Sequence, residues 1–219
     1  PDYIFSGGDI VHSKSQNISP ELISNLSWWF NEMAKIAEVV VILGNHDGLI
    51  LNHDRQDAIT PIVNAIGSPN IHLYKNSGVY PIKDGYNWCV FSCFDEEGWK
   101  DVKPVEGDIN IATFHGGVLG SKTDSDWDIS GEVAESFFDG YDFTFLGDIH
   151  KFQYIDHEKE LLILDQLYSR IMVKMLKKDS YFGRLIVSGI TKAHSISLRI
   201  YVRLLLLTGK MIMIQQYLL

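Results

Sequence analysis

Across the first 150 residues, apolar positions collect into short continuous runs, and each run ends in glycine or a polar turn former. Five stand out: "YIFSGG" (3–8), "EVVVILGN" (38–45), "NWCVFSCF" (87–94), "INIATFHGG" (109–117) and "FTFLGDIH" (143–150). β-branched and aromatic side chains dominate them, which is the pattern of buried strands. Between these runs the spacing turns helical. Ser19 is placed to cap a helix with Pro20 at its first position, and Leu22, Leu26, Trp29, Phe30, Met33 and Ile36 recur on one face. Thr60 and Pro61 open another helix, which Gly67 ends, and "SGEVAESFFDG" (130–140) reads as an acidic helical piece. Strands alternating with helices predict an α/β fold with helices outside central sheets. No repeat or low-complexity tract interrupts the pattern.

The 219 residues, 21% of them charged, suit one globular domain with an appendage. Cys89 and Cys93 lie in one strand-like run and are not expected to bridge each other, so a reducing compartment fits best. The chain opens on strand-like "DYIFSGGD" with neither a Met nor a leader pattern, and is expected to be a fragment lacking its own beginning. Arg199, Arg203 and Lys210 interrupt the apolar stretch from Leu198 to Leu219, which argues against a membrane span. Charge divides unevenly: residues 1–160 carry 10 Lys+Arg against 26 Asp+Glu, net −16, whereas residues 161–219 carry 9 against 2, net +7.

The chemistry sits at the strand ends. Asp9 and His12 follow the first run, Asn45, His46 and Asp47 the second, His115 the fourth, and Asp148 and His150 the fifth. Ligands of α/β proteins gather at the carboxyl ends of strands, and glycines there let the backbone turn sharply. A lone Gly-Asp or Gly-His is usually an ordinary turn, but four such signals in order shift the weight to a site. Asp, Asn and His without Cys form an oxygen and nitrogen donor set suited to Mn²⁺, Mg²⁺, Fe or Zn²⁺. Two such ions about 3.5–4 Å apart can hold and hydrolyse a phosphate ester, with a carboxylate such as Asp9 bridging them. By contrast, His53, His72, His157 and His194 read as surface or core histidines, Asp95, Glu96 and Glu97 as a solvated acidic loop, and Trp28 and Trp29 as helix core.

The ordered set "GGDIVH", "GNHD", "FHGG" and "GDIH" resembles the calcineurin-like metallophosphoesterases. More narrowly, "GDIVHS" followed by "DAITPIVNAIGSPNI" resembles the SbcD-type DNA-repair nuclease subunits in their phage recombination form, over residues 1–160. The resemblance implies two central mixed β-sheets flanked by helices, with the first strand missing. It implies that Asp9 bridges two Mn²⁺ ions, that Asn45, His115 and Asp148 complete one metal, and that His150 belongs to the other. His46 would stabilise the transition state or protonate the leaving oxygen, with His12 near the scissile phosphate. DNA as substrate, an SbcC-type ATPase partner, a homodimer and a cytoplasmic setting in a bacterial or phage-infected cell are implied with it.

Three departures qualify that expectation. Asp148 stands where most of the family has His, and a carboxylate can replace imidazole as a ligand. The family's D-x-H strand should precede Pro1, so only Asp9 and His150 remain for one metal, and a one-metal or empty site is expected. After Glu160 the family's continuation is absent, yet the shifted frame of permitted synonymous codons can read I-A-Y-P-G-S and, further on, N-Y-G-E and K-K-G-F. Residues 161–219 are therefore expected to be an out-of-frame tail of low order, or else a basic amphipathic appendage. Three readings of function follow: a metal-dependent DNA nuclease subunit, a small-molecule phosphodiesterase or phosphatase, and a non-catalytic remnant. The acidic charge of residues 1–160 counts against the first, since DNA binding relies on cations.

Overall fold

A computed structural model describes residues 3–13, 18–52, 55–83, 85–123, 125–130, 133–149, 153–156, 161–163, 170–174 and 186–189. The apolar runs form strands β1 (Tyr3–Ser6), β2 (Glu38–Ile42), β5 (Tyr86–Phe91), β6 (Ile109–His115) and β7 (Phe143–Gly147). Six further strands, β3 (Ile71–Tyr74), β4 (Gly78–Lys83), β8 (Gln153–Asp156), β9 (Leu161–Ile163), β10 (Arg170–Lys174) and β11 (Ile186–Gly189), complete two sheets. One has the order β11-β10-β1-β2-β3 and the other β4-β5-β6-β7-β9-β8. The strands β1 to β3 pair in parallel, as do β5, β6, β7 and β9, while β4, β8, β10 and β11 join antiparallel. Both sheets are thus mixed, and residues 161–219 contribute β9, β10 and β11 to them.

Alternation along each strand divides the side chains between three apolar layers. Tyr3, Phe5, Val40 and Ile42 from one sheet meet Tyr86, Trp88, Val90, Ile111, Phe143 and Phe145 from the other. Trp88 lies stacked on Phe5, centroids 5.3 Å apart. The intervening residues Ile4, Val39, Val41 and Leu43 face outward against two helices, α1 (Pro20–Ala34) and α2 (Thr60–Ile66). Cys89, Phe91, Ala112, Phe114 and Leu146 face outward from the second sheet. Their cover is aromatic rather than helical, for Trp99, Phe137, Phe138 and Tyr141 pack around Phe91.

The helix boundaries follow local chemistry. The Ser19 hydroxyl accepts from the Leu22 amide (3.2 Å), and Pro20 occupies the first turn of α1. Gly67, in the left-handed region (φ 63°), ends α2. Several expectations are corrected. Ile36 lies beyond the end of α1 and is exposed, and of the tryptophan pair only Trp29 is buried. In place of the acidic helix there is a single 3-10 turn, Glu135–Phe138, because Phe138 is drawn onto the sheet. Asp95 is not a solvated carboxylate, since it accepts from the Ser77 amide (2.8 Å), whereas Glu96 and Glu97 are exposed. Both cysteines are buried and free, and His72 pairs with Glu38 at 3.0 Å. His53, His157 and His194 lie outside the described residues.

The central layer depends on Trp88, which is fully buried. Trp88→Ala is expected to lower unfolding stability by about 3–5 kcal/mol. Trp28→Ala, at 37% exposure on α1, should change it by about 0.5 kcal/mol or less, both read from denaturant unfolding.

Candidate metal centre

The carboxyl ends of β1, β2, β6 and β7 come together at one edge of the two sheets. After β1 the chain passes through Gly7 and Gly8 to Asp9, whose backbone is left-handed (φ 53°). After β2, Gly44 closes directly on Asp9: a Cβ at position 44 would lie 2.2 Å from Asp9 Oδ1 and 2.3 Å from the Asp9 nitrogen. After β7, a Cβ on Gly147 would lie 2.2 Å from the Gly7 carbonyl oxygen. Glycine is therefore a steric requirement at both places, for any side chain would push the loops apart. Asp148 follows, also left-handed (φ 82°).

His115, at the end of β6, is buried at the centre of this convergence. Its Nδ1 lies 2.6 Å from the Gly7 carbonyl oxygen, which can only accept, so Nδ1 carries the proton. In the neutral ring that leaves Nε2 as the acceptor. Nε2 stands 3.2 Å from Asp9 Oδ1 and 3.7 Å from Asp148 Oδ1, buried and without a hydrogen-bond partner. A buried acceptor facing two carboxylates is costly unless a proton or a metal cation stands between them. The three donors, one imidazole nitrogen and two carboxylate oxygens, lie within 4.8 Å of one another. They fit a divalent cation, with the Gly7 carbonyl orienting the ring as metal-binding histidines require.

Electrostatics agree. Burial pulls the His115 pKa down, but the facing Asp9 carboxylate, then the Gly7 carbonyl and Asp148, outweigh it and raise the pKa. Burial pushes Asp9 up, yet the facing His115 imidazole, with the His46 amide, holds its carboxyl below the usual range. The site attracts positive charge.

His46 and His12 stand beside this cluster. The His46 amide donates to Asp9 Oδ1 (2.8 Å), and its Nε2 lies 4.0 Å from Asp9 Oδ2. The His12 and His46 rings face one another through their Nδ1 atoms, centroids 4.4 Å apart. His12 is exposed, whereas Asn45, in the same loop as His46, is half-buried. The structure thus gathers Asp9, His115 and Asp148, with His46 and His12 alongside, and His150 lies outside the described residues.

Two contributions were not assigned from sequence. The first is the Gly7 carbonyl, which no residue type announces. The second is Asp47, fully buried, whose Oδ1 accepts from the Val11 amide (2.9 Å) and Oδ2 from the Gly44 amide (2.8 Å). Burial pushes its carboxyl up to about 7, offset only in part by those amides. Farther along the loop Asp57 accepts from the Ile59 and Thr60 amides, the Thr60 hydroxyl and Lys75 Nζ. An Asp three residues before the start of a helix at Thr-Pro is a readable capping signal for that second carboxylate.

A family model described as calcineurin-like phosphoesterase matches residues 1–152. The chain is also similar to "Uncharacterized protein R555" of Acanthamoeba polyphaga mimivirus, 35% identical over 191 residues that cover 80% of this chain and 13% of that protein. It therefore spans about an eighth of the length of that relative.

The Asp57–Lys75 pair (3.0 Å) supplies a pH test away from the metal cluster. Burial raises the Asp57 pKa, but the Thr60 amide and hydroxyl and then Lys75 outweigh it and hold the carboxyl low. A depressed carboxylate stabilises the fold above its unfolded pKa of about 3.9, and that contribution is lost as pH falls through the folded value. Asp57→Asn should therefore be less stable than the parent at neutral pH, with a shallower loss of stability on acidification below about pH 4. Thermal melts across pH read both effects.

Proposed function

The chain belongs to the calcineurin-like phosphoesterase family of metal-dependent hydrolases, and from that premise we propose that it cleaves phosphodiester bonds of DNA with Mn²⁺ held by Asp9, His115 and Asp148. The observation that carries the reading is the buried His115 Nε2, poised between two carboxylates without a hydrogen bond. Asn45 would complete the ligand set from the adjoining loop, and His150 would belong to a second ion where one is bound. A divalent cation bound there supplies Lewis-acid polarisation of a phosphoryl oxygen.

The chain's own residues supply the rest. The His46 amide ties its loop to Asp9, and the His12 ring fixes the tilt of the His46 imidazole. His46, partly open to solvent, would deliver a proton to the oxygen that leaves as a water molecule attacks phosphorus and gives up its own proton to solvent, and His12 would lie near the scissile phosphate. Positive surface for DNA comes from a partner, an SbcC-type ATPase subunit, because residues 1–160 carry a net −16 and a second copy of the chain would bring the same charge. Among the described residues no helix is long and apolar enough to cross a membrane, and a cytoplasmic setting belongs to this proposal. So does the out-of-frame origin of residues 161–219, which the coding DNA around Glu160 would test directly.

The same net −16 favours a second reading, hydrolysis of a small phosphodiester, for which an acidic surface is no handicap. The test is Mn²⁺-dependent hydrolysis of linear DNA and of bis(p-nitrophenyl) phosphate. His46→Ala is expected to lower kcat on the aryl ester by about 10²–10⁴-fold. Turnover of both substrates supports the DNA reading, and turnover of the aryl ester alone supports the second. No metal-dependent turnover of either contradicts both.

A further inference from the structure

Two buried carboxylates lie in the stretch between β2 and α2, and they use their oxygens differently. Asp57 spends its hydrogen bonds on the start of α2 and on Lys75. Asp47 sends one oxygen to each of two loops: Oδ1 to the Val11 amide, 36 positions away, and Oδ2 to the Gly44 amide. Val11 lies between Asp9 and His12, and Gly44 adjoins Asn45 and touches Asp9. The two loops are also joined by the Ser13 amide donating to the His46 carbonyl (2.8 Å), and the Asp47 carbonyl accepts from the Ala58 amide (2.9 Å).

Asp9 has a left-handed backbone (φ 53°) that an L-residue adopts only under strain, and such strain persists only where surrounding bonds hold it. The two amides from which Asp47 accepts bracket Asp9 from both sides. We propose that Asp47 is a positioning residue: it clamps the Asp9–His12 loop to the Gly44–His46 loop and so sets the geometry with which the centre takes up a divalent cation. The proposal rests on the metal-centre reading above. Asp47 touches neither cation nor substrate, and acts through Val11 and Gly44.

The experiment compares the full chain with Asp47→Asn, Asp47→Ala and Asp57→Asn. Mn²⁺ affinity is read by electron paramagnetic resonance, amide hydrogen exchange at Val11 and Gly44 is read without metal, and kcat and KM are read on bis(p-nitrophenyl) phosphate. Asparagine keeps the shape but turns an NH₂ toward one of the two amides. Asp47→Asn is expected to weaken Mn²⁺ affinity by about 10–100-fold, the usual effect of removing a group that orients metal ligands, and Asp47→Ala by at least as much. At saturating metal kcat should fall with KM little changed, and one or both amides should lose protection. Asp57→Asn, equally buried, should melt at lower temperature yet keep parental Mn²⁺ affinity.

Parental affinity in both Asp47 variants would overturn the clamp and leave the metal centre standing. So would weakened affinity with both amides still protected, which would assign the loss to charge alone. An equal loss of affinity in Asp57→Asn would reduce the effect to general destabilisation. No Mn²⁺ uptake by the parent chain would overturn the clamp and the metal centre together.

Discussion

The hydrogen bond from His115 Nδ1 to the Gly7 carbonyl organises the site. It couples the end of β6 to the loop after β1, and it commits the other ring nitrogen to face Asp9 and Asp148. Without it the imidazole could turn its proton toward Asp9 and satisfy itself. With it, a buried lone pair and two carboxylate oxygens share one small space, an arrangement that a cation completes.

The rest of the fold makes that approach possible. Two mixed sheets, packed face to face through Phe5, Trp88 and Phe145, bring the ends of β1, β2, β6 and β7 to one edge. Gly44 and Gly147 then let backbone meet backbone where a methyl group would collide. Asp9 and Asp148 both adopt left-handed backbone conformations, so strain is stored at two of the proposed cation donors and borne by the packed sheets beneath.

Much of this was legible in the residues. The five long apolar runs read as strands because both faces of those strands are buried, leaving little alternation to confuse the pattern. Asp9, His115 and Asp148 stood out because each follows a strand beside glycine. Strands β3 and β4 were not foreseen, for His72, Pro81 and Lys83 break their apolar character and both lie at sheet edges. The "SGEVAESFFDG" stretch suggested a helix, but its aromatic residues pack individually on Phe91 and Phe114. Asp47 was visible only as part of "GNHD". Its hold on two amides is a property of converging loops that no local spacing encodes.

The central claim is that four strand ends build a cation site around His115 Nε2. Anomalous diffraction at the manganese edge, from crystals of the chain grown with Mn²⁺, tests it most directly. The account predicts a peak within bonding distance of His115 Nε2 and carboxylate oxygens of Asp9 and Asp148. Ordered density for all three side chains in Mn²⁺-containing crystals, with no anomalous peak between them, would contradict it.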